Sequence, residues 1–382
     1  MSGRLLVVDD NEMNRDLLSR RLRAQGHTVT VATNGREALD ALKNGHVDVM
    51  LLDIMMPEVN GFEVLEHMKA TAMLRDVPVI MISAADEVGA VVRCIELGAE
   101  DYLPKPCDPV ILRARVAATL EKKQLRDRER LHTKALEREL DIGREIQRGF
   151  LPARLPELSG WEIAIRFQPA RQVSGDFYDA FVLGDHKLAI VMGDVCDKGV
   201  GAALFMALFR TLIRATAERL GERLSPSMCV HNVMSGTNDY IARTHSQDNM
   251  FATVFLGILD AETGVVRYIN AGHEPPIVAG AGRVRARLDP TGPALGLLPD
   301  AAFDVGEVRL GSRETLVLFT DGASEARSAN GALLGDEALV TASAGETVSA
   351  EQMLERLECA VRRHAGGAEQ SDDIAMLAVR RD

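Results

Sequence analysis

Two sets of aspartates stand where apolar runs end, and carboxylates so placed can hold metal ions. In the first set Asp9 and Asp10 follow the run 5–8, Asp53 follows 49–52, Ser83 follows 79–82 and Lys105 follows 102–103. Acids gathered on one rim repel unless a hard cation neutralises them, and Mg²⁺ favours oxygen ligands in octahedral geometry. An aspartate beside Mg²⁺, with Ser83 and Lys105 to hold phosphoryl oxygens, can accept a phosphoryl group. A lone aspartate after a strand is commonly a helix cap. Matched positions at four strand ends are not explained that way.

In the second set Asp176 lies in SGDFYD, Asp194 in MGDVCDKG, Asp321 in FTDGASE, and Asp372 with Asp373 in SDDIAML. Distant aspartates converging through a sheet can hold two Mg²⁺ or Mn²⁺ ions roughly 3.5–4 Å apart, which activate a water and clamp a phosphoryl group for in-line attack. Gly193 and Gly199 permit close backbone approach, so the Val195 carbonyl joins the candidate ligands. Arg171, five residues before Asp176, suits a phosphate-holding guanidinium. Asp179 and Asp260 read as turn aspartates. His273, in NAGH, reads as a turn histidine rather than an acid catalyst.

The first set needs a parallel sheet, because only there do successive strands end on one rim. Apolar runs at 5–8, 29–31, 49–52, 79–82 and 102–103 alternate with helical spacing near 13–24, 35–43, 61–70, 87–97 and 109–120. The spacing predicts a doubly wound α/β sheet of five strands. From Trp161 short β-type runs dominate, at 162–167, 188–192, 252–259, 265–269, 276–279, 315–319 and 374–379. Helical stretches near 200–220, 225–244 and 349–364 interrupt them. This pattern predicts an α+β sandwich with helices segregated against antiparallel sheets.

The motifs VVDD, LLDIMMPEVNG, MISA and YLPKP resemble a response-regulator receiver domain (CheY-like) over its whole length. The resemblance implies that Asp53 is phosphorylated by a sensor histidine kinase, that Asp9, Asp10 and Asp53 hold Mg²⁺, and that Lys105 anchors the phosphate. It makes Ser83 and Tyr102 the switch pair, with serine replacing the commoner threonine, and puts Asn60 where the family often has aspartate. From about 139 onward, ELDIGREIQRGFLP, QPARQVSGDFYD, GDVCDKGVGAALFMA, NAGHEPP, FTDGASEA and DDIAMLAVR resemble the PPM family of metal-dependent serine/threonine phosphatases, in its SpoIIE/RsbU-like branch. That resemblance implies that Asp194 bridges two metals, Asp321 and Asp372 complete one, and Asp176 acts in or behind the ligand set. Asp373 is left outside it, and Ser174 stands where the branch commonly has glycine. It further implies a phosphorylated anti-sigma-factor antagonist, a STAS-domain protein, as substrate. SGDFYD lacks the Gly-Gly start and the glutamate of a diguanylate cyclase loop.

The expected organisation is a receiver at 1–120, a helical linker at 121–152 and a phosphatase domain at 153–382. Residues 121–130 are nearly all charged and no Gly or Pro occurs from 110 to 142, so the helix continues. Its stripe of Leu131, Ala135, Ile142, Ile146 and Phe150 reads either as a solvated connector or as a homodimeric coiled coil. The net charge is −12, with −9 in residues 151–382, and no segment has the basic footprint of a nucleic-acid binder. Acidic MSGRLLVVDD leaves no signal-peptide core, and no window is read as the ~18 apolar residues of a membrane span. Cys94, Cys107, Cys196, Cys229 and Cys359 show no CxxC spacing. These features predict a cytoplasmic enzyme; a scaffold that holds an anti-sigma component without turnover is the alternative, and loss of the metal-ligand aspartates would be its mark.

Overall fold

The computed structural model describes residues 2–84, 88–184, 186–245, 247–346 and 348–382, and the chain divides into compact units Met1–Leu136 and Glu137–Asp382. In the first unit β1 (Arg4–Val8), β2 (Thr28–Ala32), β3 (Val49–Asp53), β4 (Val79–Ser83) and β5 (Asp101–Pro104) pair in parallel, in the order β2-β1-β3-β4-β5. They alternate with α1 (Glu12–Ala24), α2 (Gly35–Asn44), α3 (Gly61–Ala70), α4 (Val88–Leu97) and α5 (Pro109–Arg148). β3 and β4 are buried along their whole length because helices cover both faces. Leu6, Met50 and Leu52 pack with Leu65 and Met68, while Leu5, Leu51 and Ile80 pack with Leu22 and Leu112. Asn60 caps α3, with Glu63 returning the bond to its backbone. The helix read near 87–97 starts on a residue outside the described ones.

The second unit carries β6 (Trp161–Gln168), β7 (Phe177–Val182), β8 (Lys187–Val195), α6 (Val200–Gly221), α7 (Pro226–Thr244), β9 (Ala252–Asp260) and β10 (Val265–Ala271). There follow β11 (Ile277–Gly280), β12 (Arg283–Arg287), β13 (Gly306–Arg309), β14 (Thr315–Phe319), α8 (Asp321–Ser324), α9 (Asp336–Ser343), α10 (Ala350–Ala365) and β15 (Ile374–Arg381). Two antiparallel sheets result, ordered β13-β10-β9-β8-β7 and β12-β11-β14-β15-β6. Leu188, Ile190 and Phe255 of one meet Leu316, Leu318 and Leu377 of the other. Outside the first sheet lie Met206, Phe209, Val230 and Val233 of α6 and α7; outside the second lie Met353, Leu354 and Leu357 of α10. The unit is therefore a four-layer sandwich, helices outside and sheets within.

Three differences from the sequence reading stand out. β7, β12, β13, α8 and α9 were not expected. Asp179 is no turn residue: it lies in β7, fully buried, with Oδ2 2.7 Å from Arg210 and Oδ1 3.1 Å from Arg214. Burial pushes its carboxyl up while the two guanidiniums hold it down, and its pKa stays above the ordinary value. Finally, α6 is long and apolar enough by length and composition to cross a membrane. Its Ala202, Met206, Phe209, Ile213 and Ala217 pack with the core of the first sheet, while Val200 and Leu204 are exposed.

Candidate functional site

In the first unit the parallel sheet delivers the acids to one rim. Asp9 follows β1 and is 1% exposed, Asp53 ends β3 and is 5% exposed, and Asp10 is exposed beside them. Their ligand oxygens all lie within 4.8 Å of one another. Lys105, just after β5, places Nζ 2.7 Å from both Asp9 Oδ2 and Asp53 Oδ2. Burial raises the Asp53 pKa, partly opposed by Lys105. For Lys105 burial works downward, but its hydrogen bonds to Asp53 and Asp9 outweigh that and hold the ammonium above its ordinary value. Ser83 closes β4, and Tyr102 lies on the neighbouring β5 opposite Met81. Three oxygen donors this close, one of them solvent-facing, fit a hard divalent cation.

In the second unit the acids come from both sheets. Asp194 sits near the end of β8, Asp321 opens α8 directly after β14, and Asp372 and Asp373 precede β15. Asp176, 2% exposed, leads into β7, and its Oδ2 accepts from Thr320 Oγ1 at 2.7 Å. The same hydroxyl accepts from the Ala375 amide at 2.9 Å, so Thr320 ties β15 to the carboxylate. Close backbone approach is needed twice. A Cβ on Gly322 would lie 1.8 Å from the Asp373 carbonyl oxygen, and one on Gly175 would lie 2.9 Å from that of Val195. Asp373 turns aside to accept from the Ala170 amide at 2.7 Å.

Burial and neighbouring charge raise the pKa of three of these acids. Burial, then the charge of Asp194, drives Asp176 well above the carboxylate range. Burial and Asp321 push Asp194 up to about 7, and burial and Asp372 raise Asp321. Lys198 Nζ lies 2.5 Å from Asp372 Oδ2, and that hydrogen bond raises its pKa against the opposing charge of Arg171. Arg171 itself is exposed. An all-oxygen set whose members repel one another fits Mg²⁺ or Mn²⁺. Among the described residues, only Asp9, Asp10 and Asp53 form a group of three or more ligand atoms within 4.8 Å. The second set is joined more loosely, Asp176 to Asp194 and Lys198 to Asp372.

Sequence reading missed three residues here. Thr320 and Lys198 stood inside quoted motifs, in FTDG and DKG, so their neighbours signalled them. Gln147 stood inside ELDIGREIQRGFLP, but was not singled out. It is a buried polar residue at the end of α5, its Nε2 2.6 Å from the Ser174 carbonyl and its Oε1 3.0 Å from the Ser174 amide. Ser174 Oγ in turn accepts from the Asp176 amide at 3.1 Å.

With this geometry in view, two family models match the chain. The response regulator receiver domain matches residues 5–117, and stage II sporulation protein E (SpoIIE) matches 184–382, more than half the chain. The chain belongs to the SpoIIE family. Its SpoIIE match takes in Asp194, Asp321 and Asp372 and begins after Arg171 and Asp176; the receiver match takes in Asp9, Asp10, Asp53, Ser83, Tyr102 and Lys105. Protein IcfG of Synechocystis sp. is 41% identical over 266 residues, 64% of this chain and 42% of that protein. This chain therefore spans less than half the length of that relative. Response regulator MprA of Mycobacterium ulcerans is 38% identical over 169 residues, 43% of this chain and 71% of that protein. The SiaA-PP2C domain of Pseudomonas aeruginosa shares the fold, with a TM-score of 0.54 at 24% identity, over 66% of this chain and 99% of that one. This SpoIIE-family chain thus joins an N-terminal receiver to a C-terminal PPM-type phosphatase domain.

Proposed function

We propose that phosphorylation of Asp53 by a sensor histidine kinase controls hydrolysis of phosphoserine or phosphothreonine in a partner protein. The observation that carries this reading is that Asp176, Asp194, Asp321 and Asp372 lie close enough to interact, burial and then the charges of Asp321 and Asp372 raising Asp194 to about 7. In this reading Asp194, Asp321, Asp372, Asp176 and the Val195 carbonyl hold two Mn²⁺ or Mg²⁺ ions. Bound there, the metals supply Lewis acidity and an activated water. The chain's own contribution is positional. Thr320 fixes Asp176, Asp373 fixes the 170 backbone, and Arg171 and Lys198 present cationic donors to the phosphate. In the receiver Asp9, Asp10 and Asp53 hold Mg²⁺, Lys105 anchors the phosphoryl group, and Ser83 and Tyr102 register its arrival.

The family resemblance supports a phosphorylated STAS-type anti-sigma-factor antagonist as substrate and partner. The working boundaries are a receiver at 1–120, a linker at 121–152 and a phosphatase at 153–382, in a cytoplasmic protein. The exposed Leu131, Leu136, Ile142 and Ile146 support homodimerisation through α5. The deciding experiment is phosphate release from a phosphoserine peptide and from a phosphorylated STAS-domain protein, with Mn²⁺, with EDTA, and with Asp194→Ala. Metal-dependent release, lost in the variant while the far-UV spectrum is kept, is the expected result. Release that persists in Asp194→Ala overturns the site; none from either substrate returns weight to a non-catalytic scaffold.

A further inference from the structure

β14 and β15 each have two ends. One end carries Asp321 and Asp372; at the other lies a cavity of about 820 Å³, walled by the turn between β11 and β12, the Gly311–Glu314 loop and Met353 of α10. Four arginines line it, Arg283, Arg285, Arg313 and Arg380, against the carboxylates Glu314 and Glu346. Arg285 is committed to Glu314, with Nε 2.6 Å from Oε1 and Nη2 2.9 Å from Oε2. Arg283 and Arg313 are exposed, and among the described residues their guanidiniums have no hydrogen-bond or ion-pair partner.

Arg380 differs from these. Its side chain is 9% exposed, and its Nη1 comes no nearer than 4.0 Å to Glu162 and 3.9 Å to Asp382. Its Nε is buried without a hydrogen-bond partner, and so is the hydroxyl of Thr315, its register partner on β14. The pleat places both on the face covered by α9 and α10, since Val317, Phe319, Met376 and Ala378, at alternate positions, pack there. A buried polar group left unmet is destabilising, so it favours a ligand that can supply the missing partner. Arg380, with an unmet buried Nε, lines a cavity that two uncommitted guanidiniums, Arg283 and Arg313, also line, and that arrangement describes a receptor for an oxyanion. The cavity does not owe its charge to general basicity, because residues 151–382 have net charge −9.

We infer that this cavity binds a small molecule carrying a di- or multi-phosphoryl group. Guanidinium forks match phosphoryl oxygens in pairs and stay charged at any physiological pH. Arg380 is the buried anchor, while Arg283 and Arg313 close on the outer phosphoryl from the two loops. At about 820 Å³ the space is that of a small-molecule site rather than of a single phosphate ion. The site stands apart from the catalytic acids, and nothing in the proposed phosphatase reaction uses it.

The test is calorimetric titration of the full-length chain with inorganic pyrophosphate at constant ionic strength. EDTA is present throughout, so that no divalent cation can hold the anion at the catalytic acids. Saturable binding is expected, weakened at least tenfold in the Arg283→Gln/Arg313→Gln double variant and further in Arg380→Gln. Arg380 is buried and its replacement endangers the fold, so the exposed pair carries the decision. Absence of saturable heat at millimolar pyrophosphate overturns the inference. Equal affinity in the double variant overturns it too, by placing the anion elsewhere.

Discussion

His273 is buried, with Nδ1 3.0 Å from the Thr253 hydroxyl and Nε2 without a hydrogen-bond partner. Asn270 holds the turn around it, accepting from the His273 amide at 2.8 Å and donating to its carbonyl at 3.0 Å. Burial alone drives the imidazole down to about 3, so at neutral pH it has no proton to give a leaving group. That shift has a stability consequence with a definite sign. Above the ordinary value of 6.5 the ring is neutral whether the chain is folded or not. As pH falls below 6.5 the unfolded chain binds a proton that the folded chain refuses, and stability is lost until pH reaches about 3. The loss is about 1.4 kcal/mol per pH unit, or about 2 kcal/mol by pH 5. A His273→Gln variant lacks this share. The stability gap between wild type and variant should therefore shrink by about 2 kcal/mol from pH 8 to pH 5. Urea unfolding followed by Trp161, the single tryptophan, measures it, and a gap that does not move with pH contradicts the buried neutral ring.

Among the elements, the end of α5 has a direct line to Asp176. Gln147 meets both backbone groups of Ser174, and Ser174 Oγ holds the Asp176 amide. A Gln147→Leu change keeps the bulk but strands two buried backbone groups, at about 1–3 kcal/mol each. Turnover and Mn²⁺ affinity are expected to fall at least tenfold, because the loop that presents Asp176 loses its clasp. Mn²⁺ titration beside urea unfolding separates the two effects. A variant destabilised by that amount, yet with unchanged metal affinity and turnover, would make Gln147 a packing residue only. Gln147 lies within ELDIGREIQRGFLP yet was passed over, since a polar residue in an amphipathic stretch is read as solvent-facing. The same physics divides the strands that were legible from those that were not. Every strand of the parallel sheet was read, because two covered faces write an unbroken apolar run. The missed strands β7, β12 and β13 are all sheet edges. β12, RVRAR, alternates but its only apolar residues are Val284 and Ala286, too weak a stripe to stand out, and in β7 the buried Asp179 interrupts the apolar run. The acids were legible because each interrupts an apolar run; Thr320 and Lys198, which hold them, became visible only through their contacts.

At the scale of the whole molecule the proposed function requires that phosphorylation of Asp53 be felt at Asp194. α5 is one helix of 40 residues that supplies Leu112, Val116 and Leu120 to the receiver core and Gln147 to the loop before Asp176. Its continuity follows from composition, for no Gly or Pro lies between 110 and 142. A rigid element ending on a ligand-bearing loop can bias that loop between two arrangements, which is the physical content of coupling. Two variants separate receipt of the signal from its transmission. Asp53→Asn removes the acceptor, so acetyl phosphate should leave turnover unchanged. Leu131→Pro keeps the acceptor but interrupts α5 at an exposed position, at about 3 kcal/mol of local helix stability. In that variant Asp53 should still be phosphorylated, as a phosphate-affinity gel reports, and basal turnover should remain while the response to acetyl phosphate falls to that of Asp53→Asn. If the Leu131→Pro protein still responds as wild type does, the signal does not travel along the helix, and a direct effect of the receiver on the catalytic domain takes its place.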